Sequence, residues 1–551
     1  MQRYRNIVAS FSRHGFGFIV KELGLHELLS LPKHLLAEDD QDLYMKPMAE
    51  RIRMFLEEMG PTFVKMGQFA STRPDLFPAN LIFELEKLQN QVPPFSSDIV
   101  KSIIEQELGD TIDNLFAEFR EVPLAAASIG QVHYAVLHTG EQVAIKVQRP
   151  NIRKIIKTDL EILQDLAMLV EQRSKSAAKY QLRDMVDEFS KSLRAELDYS
   201  VEARNGEKIG KQFSNDSKIH VPKIYWDYST QKVLTMEYVE GIKINKKETL
   251  IQQGYNCKVL AERVAQAILH QIFIEGFFHG DPHPGNILVL PGETIVLMDF
   301  GMVGRLTSEM KLHFASLLIA LNRQDTDKLV KEIISIGIMP DEINMQQLRA
   351  DVELLKEKYY DTPFSEVNLG EAMNDLFSVA FQHRIKIPSD LTLLGKAILT
   401  VEGIVEDLDP ELSIIKVAEP FGHKLVKNRY NPKRIARNLM KELAEYGEML
   451  STLPKHMHEM ASVIKKGKLH MEITIPELGM TIKKLERISN RLSFSIVLLS
   501  FSIITTGLII GSALTRQSTL LWNVPAIEIG FGIATLMFLW LIYSIFKSGR
   551  F

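Results

Sequence analysis

Apolar positions change their period along this chain, and each change predicts an element. Met48, Ile52, Phe55, Leu56 and Met59 recur at helical spacing up to a Gly60-Pro61 break, and Phe63, Val64, Met66, Phe69 and Ala70 continue on a second helix. Pro74 and Pro78 end that helix, and Leu81 to Val92 predicts a third. Ahead of them, residues 1–40 predict a short helical lead-in, with Leu23, Leu25, Leu28 and Leu29 apolar and Pro32 breaking it. Past Pro93-Pro94 come helices over Ser97 to Leu108 and Thr111 to Phe116. The period then shortens. Gln131 to Leu137 and Gln142 to Val147 alternate and are rich in Val, Ile and Tyr, which predicts a β-hairpin turned at Thr139-Gly140. Two long amphipathic helices are expected over Asn151 to Arg173 and Gln181 to Ile209, then further strands of a smaller lobe over residues 221–244. Leu260 to Glu275 reads as an apolar helix, and Ile287–Leu290 and Thr294–Met298 as strands around a Pro291-Gly292 turn. From Ser308 to about Val417 the period is helical throughout.

The last part of the chain changes character. Residues 420–492 are amphipathic, with basic clusters at Lys465, Lys466 and Lys468 and at Lys483, Lys484, Arg487 and Arg491. No charged residue lies between Arg491 and Arg516, which is long enough for a helix to cross a bilayer. Asn523 and Pro525 turn the chain, and Glu528 to Phe546 forms a second apolar run. Basic residues crowd before the first run and follow the second (Lys547, Arg550), while the connector has only Arg516, so both ends are expected on the cytoplasmic side. Gly507 and Gly511 make a G-x-x-x-G spacing suited to close helix packing. Composition adds less. A net charge of −4 over 551 residues gives no basic field for nucleic acid. The single cysteine, Cys257, excludes an intramolecular disulfide and a cysteine metal cluster, which fits a reducing compartment. The N-terminus lacks the apolar core of a secretory signal.

Candidate chemistry concentrates between His279 and Gly301. Asp281 is followed five residues later by Asn286, and Asp299 opens an Asp-Phe-Gly triplet. Phosphoryl transfer from ATP in kinase-like folds uses such a set: one carboxylate for the nucleophile's proton, an amide oxygen and a second carboxylate for Mg²⁺. The hairpin over residues 287–298 would carry Asn286 and Asp299 to one place. Upstream, Lys146 ends a V-A-I-K tetrad, the pattern of a lysine that contacts nucleotide phosphates and pairs with a glutamate on a following helix. On the helix expected there, Asp198 and Glu202 are about 40° apart and Glu196 and Asp198 about 200° apart. Glu202 is assigned to Lys146; Glu196 and Asp198 are left for other cations and cannot share one partner unless the helix is irregular. Where kinases carry glycines over the phosphates, this chain has Ala125, Ala126, Ala127 and Ser128, a stiffer loop that argues against ordinary protein phosphorylation. Met236-Glu237-Tyr238-Val239 resembles a kinase hinge, with the backbone of Glu237 and Val239 at the adenine edge. His279 and His283 read as orienting residues, since no set at zinc-ligand spacing surrounds them.

Lys65-Met66-Gly67-Gln68, the Ser71-to-Leu76 pattern S-x-R-P-D-L, the alanine-rich loop, Glu196-Leu197-Asp198 and the Asp281-to-Gly301 set together resemble the UbiB/AarF family of atypical kinase-like proteins linked to isoprenoid quinone biosynthesis. The resemblance covers about residues 40–420 plus the apolar C-terminal pair. It implies an α+β, bilobal protein-kinase-like fold with a helical N-terminal extension and a C-terminal two-helix transmembrane hairpin. The implied plan is a lead-in (1–40), a K-x-G-Q lid extension (41–120), an N-lobe (121–244), a helical C-lobe (245–420), juxtamembrane helices (421–492) and spans at 493–515 and 525–546. Periodicity alone leaves Lys65 solvated on an amphipathic layer; the resemblance turns it inward, onto Glu196 and Asp198. It further implies ATP and Mg²⁺ as cofactors and a membrane-anchored ATPase, stimulated by lipid and phenolic quinone precursors, that supports a quinone-synthesis complex. Membrane lipids, quinone precursors or quinone-synthesis proteins are the expected partners, and a homodimer is admitted. The expected place is the cytoplasmic membrane with the lobes facing the cytoplasm. His-Gly-Asp at 279–281 lacks the arginine that reads activation-loop phosphate in H-R-D kinases, so no such switch is expected. Two other classes stay open: a small-molecule phosphotransferase of the aminoglycoside/choline kinase type, whose H-G-D-x-x-x-x-N loop is similar, and a nucleotide-binding pseudokinase scaffold.

Overall fold

The residues described in this computed structural model are 2–22, 46–88, 93–173, 182–340, 343–359, 367–418 and 420–421, with scattered helical positions between 495 and 540. The chain divides into two units, Met1–Ala436 and Arg437–Phe551.

In the first unit, α1 (Gln2–Phe11), a π turn (Ser12–Phe16) and α2 (Gly17–Glu22) form the lead-in. The leucines at 23–29 and Pro32 lie outside the described residues. Next come α3 (Met48–Met59), α4 (Pro61–Ser71) and α5 (Ala79–Leu85). Gly60 separates α3 from α4 at φ 91, a conformation open to glycine, and Pro61 starts α4 where no amide hydrogen is needed. The third helix is shorter than its apolar run suggests, because a turn follows Leu85. This extension buries Phe55, Leu56, Phe63 and Leu85 against α8 (Ile152–Arg173) and α9 (Leu182–Glu196). A polar knot secures it. Asp159 of α8, with no exposed surface, accepts two bonds from Arg3 (2.7 and 2.9 Å) and one from Thr62 Oγ1 (2.7 Å). A buried carboxylate is tolerated when paired and bonded in this way.

The smaller lobe is built on an antiparallel sheet ordered β1-β3-β4-β6, with β2 also pairing β3. The strands are β1 (Phe116–Phe119), β2 (Ala125–Ala126), β3 (Gly130–Leu137), β4 (Gln142–Gln148) and, after the helices, β6 (Val233–Glu237). The expected hairpin is β3–β4, with Gly140 at φ 96 in its turn. Ahead of the sheet run α6 (Ser97–Leu108) and α7 (Ile112–Leu115). The helix expected to reach Phe116 stops one residue short, since Phe116 turns extended and buries against Val143 and Ile145.

Residues 221–244 depart in part from the expected set of small-lobe strands. β6 joins that sheet, and Ile224 bridges to its Met236. β5 (Ile219–His220) runs parallel to β10 (Thr294–Leu297), and β7 (Ile242–Lys243) pairs β9 (Ile287–Leu290). Backbone hydrogen bonds therefore tie the segments flanking β6 to the hairpin that carries the Asn286–Asp299 set. The larger lobe follows: α11 (Lys247–Gln252), α12 (Cys257–His270), β8 (Phe277–His279), β11 (Val303–Arg305) and helices α13 (Ser308–Asn322), α14 (Thr326–Ile336), α15 (Met345–Lys358), α16 (Leu369–Gln382) and α17 (Ser389–Leu408). α12 and α17 form its core, burying Leu260, Val264, Leu394 and Ile398.

The expected juxtamembrane helices, and most of the two expected spans at 493–515 and 525–546, lie outside the described residues. Among the described residues no helix is long and apolar enough to cross a membrane. The described positions of the second unit are helical, and Phe501 stacks on Phe538 with ring centroids 4.4 Å apart.

Candidate functional site

Site construction begins at the break between α9 and α10 (Tyr199–Gln212). A single helix was expected over 181–209; the chain instead leaves helical geometry at Asp198 (φ −112, ψ 94), whose Oδ1 caps α10 by accepting from Ser200 N at 3.0 Å. Aspartate is a favoured N-cap, and that residue type was the overlooked signal. The break voids the wheel angles for this segment. Glu196 ends one helix and forms an ion pair with Lys65 of α4, while Asp198 spends its carboxylate on Ser200. Of the acidic pair expected to meet Lys65, the structure brings Glu196.

Glu202, one turn into α10, receives Lys146 Nζ in both carboxylate oxygens at 2.9 and 2.8 Å. Lys146 sits on β4, and its Nζ is also 3.9 Å from Asp299 Oδ1. Burial works against its charge, but Asp299 and Glu202 outweigh it and hold the ammonium pKa well above the ordinary lysine range. Lys146 in turn holds the Asp299 carboxyl below its ordinary range against desolvation, helped by Lys65. Both lysines therefore bear on one aspartate.

Asp299 takes φ 59, a left-handed conformation uncommon outside glycine and kept only where neighbours impose it. Several do. Met298 N donates to Asn286 O at 2.9 Å, so the β9–β10 hairpin returns Asp299 beside Asn286. Asn205 Nδ2 donates to Phe300 O at 3.1 Å. Phe300 is buried against Gly206, where a Cβ would lie 2.9 Å from its ring. Asn205 and Gly206 were missed in the sequence because α10 gives no periodic sign of what it covers. The Asp299 side chain remains 52% exposed, open to a cation.

His279 is fully buried and spends its ring on the backbone: Nε2 donates to Met298 O at 2.9 Å and Nδ1 accepts from Asp281 N at 3.2 Å. Burial pushes its pKa down, keeping it neutral for those two roles. His283 Nδ1 accepts from Gly285 N at 3.0 Å. Asn286 Nδ2 reaches Asp281 O at 3.3 Å. Among the described residues no group of three or more His, Cys, Asp or Glu could hold a metal, so a cation here would rely on Asp299, Asn286 and the ligand's own oxygens.

In sequence, position 280 stands out for lacking the arginine of H-R-D kinases; the structure shows what glycine permits there. A Cβ on Gly280 would lie 2.6 Å from Leu393 Cδ2, so its absence lets α17 press on the loop. Three residues on, Lys396 places Nζ 3.1 Å from Asp281 Oδ1. Lys396 was not foreseen, since it lies 115 residues downstream in a segment read only as packing.

The loop over Ala125 to Ser128 is partly strand. β2 pairs β3, Ala127 N donates to Gly130 O at 2.8 Å, and Ser128 is buried. At Gly130 a Cβ would collide with Tyr199 Oη and lie 2.6 Å from Val147 O. Gly130→Ala is therefore expected to destabilise the chain by about 1–3 kcal/mol through overpacking against backbone, as measured by urea denaturation; no loss would show that the loop yields freely. Tyr199 is 1% exposed, lies with its ring 5.2 Å from Lys146 Nζ, and its hydroxyl has no hydrogen-bond partner among the described residues. At the hinge, Glu237 N donates to Lys223 O (2.8 Å) and Tyr238 N to Gln142 O (3.0 Å), while the Glu237 side chain pairs with His220.

The K-x-G-Q helix is legible atom by atom. Lys65 faces Glu196, Gly67 admits Leu88 and Leu56 where a Cβ would clash, and Gln68 Nε2 donates to Leu88 O at 3.2 Å.

Models of three domains match the chain: the ABC1 atypical kinase-like domain at residues 87–333, the UbiB helical domain at 352–413 and the ABC1/UbiB kinase-like C-terminal domain at 476–547. An uncharacterised protein of Clostridium pasteurianum, named for its place in the hydrogenase 1 5′ region, is 33% identical over 99% of both chains. The chain belongs to the ABC1/UbiB family of atypical kinase-like proteins. An uncharacterised Synechocystis protein is 36% identical over 79% of this chain and 75% of its own. The chloroplastic Arabidopsis thaliana protein ACTIVITY OF BC1 COMPLEX KINASE 7 is 34% identical over 81% of this chain and 65% of its own. The α+β kinase-like architecture described above is thus that of an ABC1/UbiB protein.

Proposed function

We propose that this ABC1/UbiB protein is a membrane-anchored, Mg²⁺-dependent ATPase of kinase-like type that supports isoprenoid quinone biosynthesis. The observation carrying the nucleotide reading is the convergence of Lys146, Glu202 and Asp299 from β4, α10 and the end of the β9–β10 hairpin. The fit to ATP rests on further features. The Tyr199 ring lies beside Lys146, its hydroxyl, without a hydrogen-bond partner among the described residues, packs on Gly130, and the exposed Asp299 carboxylate stands next to Asn286.

Bound Mg²⁺·ATP supplies the transferable phosphoryl group. Lys146, fixed by Glu202, would orient the α and β phosphates. Asn286 and Asp299 would hold the metal. The Glu237 carbonyl and Val239 amide would meet the adenine edge, next to the two hinge bonds already made. Asp281, its backbone held by His279 and Asn286, would position the attacking water or hydroxyl and take its proton. Lys65 and Glu196 would gate the site, with the loop at Ala125–Ser128 restricting approach; Asp198 would set the α9–α10 break on which Glu196 sits.

The membrane part is supported by the uncharged run before Arg516, with Ile496 and Leu499 exposed, and by the second apolar run, with Leu536 and Trp540 exposed. Lipids and phenolic quinone precursors are the partners this reading selects, consistent with family membership and with a chloroplast relative named for bc1-complex activity. The test is ATP hydrolysis by the full chain in liposomes, with and without a phenol that mimics a quinone precursor. Turnover that rises at least severalfold with lipid and phenol is expected. Turnover that is lipid-independent, or that instead transfers phosphate stoichiometrically to a soluble amine or sugar, would overturn it.

A further inference from the structure

We propose that Lys396 is the cation that meets the transferable phosphoryl end of the bound nucleotide, supplied from α17 to a catalytic loop that carries no lysine or arginine of its own. The inference rests on the nucleotide reading above and assigns a role to a residue outside every motif of the catalytic segment.

Geometry comes first. Leu393 fills the space left by Gly280, and Lys396, three residues along α17 and hence on the same face, reaches Asp281 Oδ1 at 3.1 Å. Asp281 has to stand beside the nucleophile, and the nucleophile beside the phosphorus it attacks. A cation bonded to Asp281 is therefore within a side-chain rotation of the phosphoryl oxygens. The Lys396 side chain is 26% exposed and its stem is unbranched, so that rotation is open to it.

Charge balance points the same way. Lys146 is committed to the buried Glu202, and Lys65 to Glu196. Between Asp281 and Asn286 the loop reads Pro282, His283, Pro284, Gly285, and the His283 ring accepts a backbone amide. A triphosphate entering here adds several negative charges to a site already holding Asp281 and Asp299. Lys396 is the ammonium whose partner, Asp281, is itself 37% exposed and thus the least costly to share. Burial raises the Glu86 carboxyl on the turn after α5, and Lys396 offsets part of that rise.

The test compares two nucleotides that differ at the terminal phosphate. Mg²⁺·ADP and Mg²⁺ with the non-hydrolysable analogue adenylyl imidodiphosphate are titrated into the full-length wild type, Lys396→Met and Lys396→Arg, with thermal melting as the check on folding. Lys396→Met is expected to weaken the analogue about tenfold, a single charge-assisted contact, and ADP by less than about twofold. Lys396→Arg, which keeps the charge, is expected to retain most of the analogue's affinity. Equal weakening of both nucleotides, or of neither, by a folded Lys396→Met overturns the assignment. Should the wild type bind neither nucleotide, the nucleotide reading itself fails, and Lys396 falls with it.

Discussion

Asp281→Asn is expected to lower ATP turnover by about two to four orders of magnitude, the range for loss of a positioned general base, while the melting temperature stays close to that of the wild type. Asparagine keeps the size of the side chain. It leaves the backbone contacts of position 281 with His279 and Asn286 intact, since those use the main-chain amide and carbonyl. It removes the proton acceptor and the anionic partner of Lys396. Phosphate release measured on purified protein in liposomes checks the result. Turnover within about threefold of the wild type would remove Asp281 from the mechanism, and a matching fall in melting temperature would make its role structural.

Arg73→Ala is expected to cost about 3–5 kcal/mol of stability, because it strands a buried carboxylate. Arg73 is 1% exposed and clamps Asp75 with two bonds of 2.8 Å, while its third nitrogen reaches Glu188 of α9 at 2.7 Å. Asp75 Oδ2 then accepts from Ile387 N at 3.1 Å, just before α17. The S-x-R-P-D-L signature is thus a buried polar clamp joining the extension, α9 and the larger lobe. It holds the start of α17, about two turns before Lys396. Chemical denaturation of Arg73→Ala and Arg73→Lys checks this: lysine cannot make the paired bonds and should rescue little. A loss below about 1 kcal/mol in Arg73→Ala would show that the clamp orders the interface without stabilising it.

Much of the site follows from motif chemistry. Lys146 was paired with Glu202 from residue types and order alone, and the structure gives that pair two short bonds. The β9–β10 hairpin was legible because Pro291-Gly292 punctuates two β-rich runs, and it returns Asp299 to Asn286. The angles between Glu196 and Asp198 hold only on one unbroken helix, and the cap at Asp198 is the irregularity that breaks it.

Local signals of period and turn thus determined most of the segments that are helix or strand, where a kinase-like motif set lies, and that an uncharged stretch precedes Arg516, since each depends on residues within a few positions of one another. Three arrangements depended on the fold. Lys65 reaches Glu196, β5 and β7 pair with the β9–β10 hairpin, and Lys396 reaches Asp281 through the gap at Gly280. Each joins side chains or strands tens to more than a hundred residues apart. Helical and strand periods say which face of an element is apolar, but not which element will cover it; only close packing of the two lobes and the extension selects those partners.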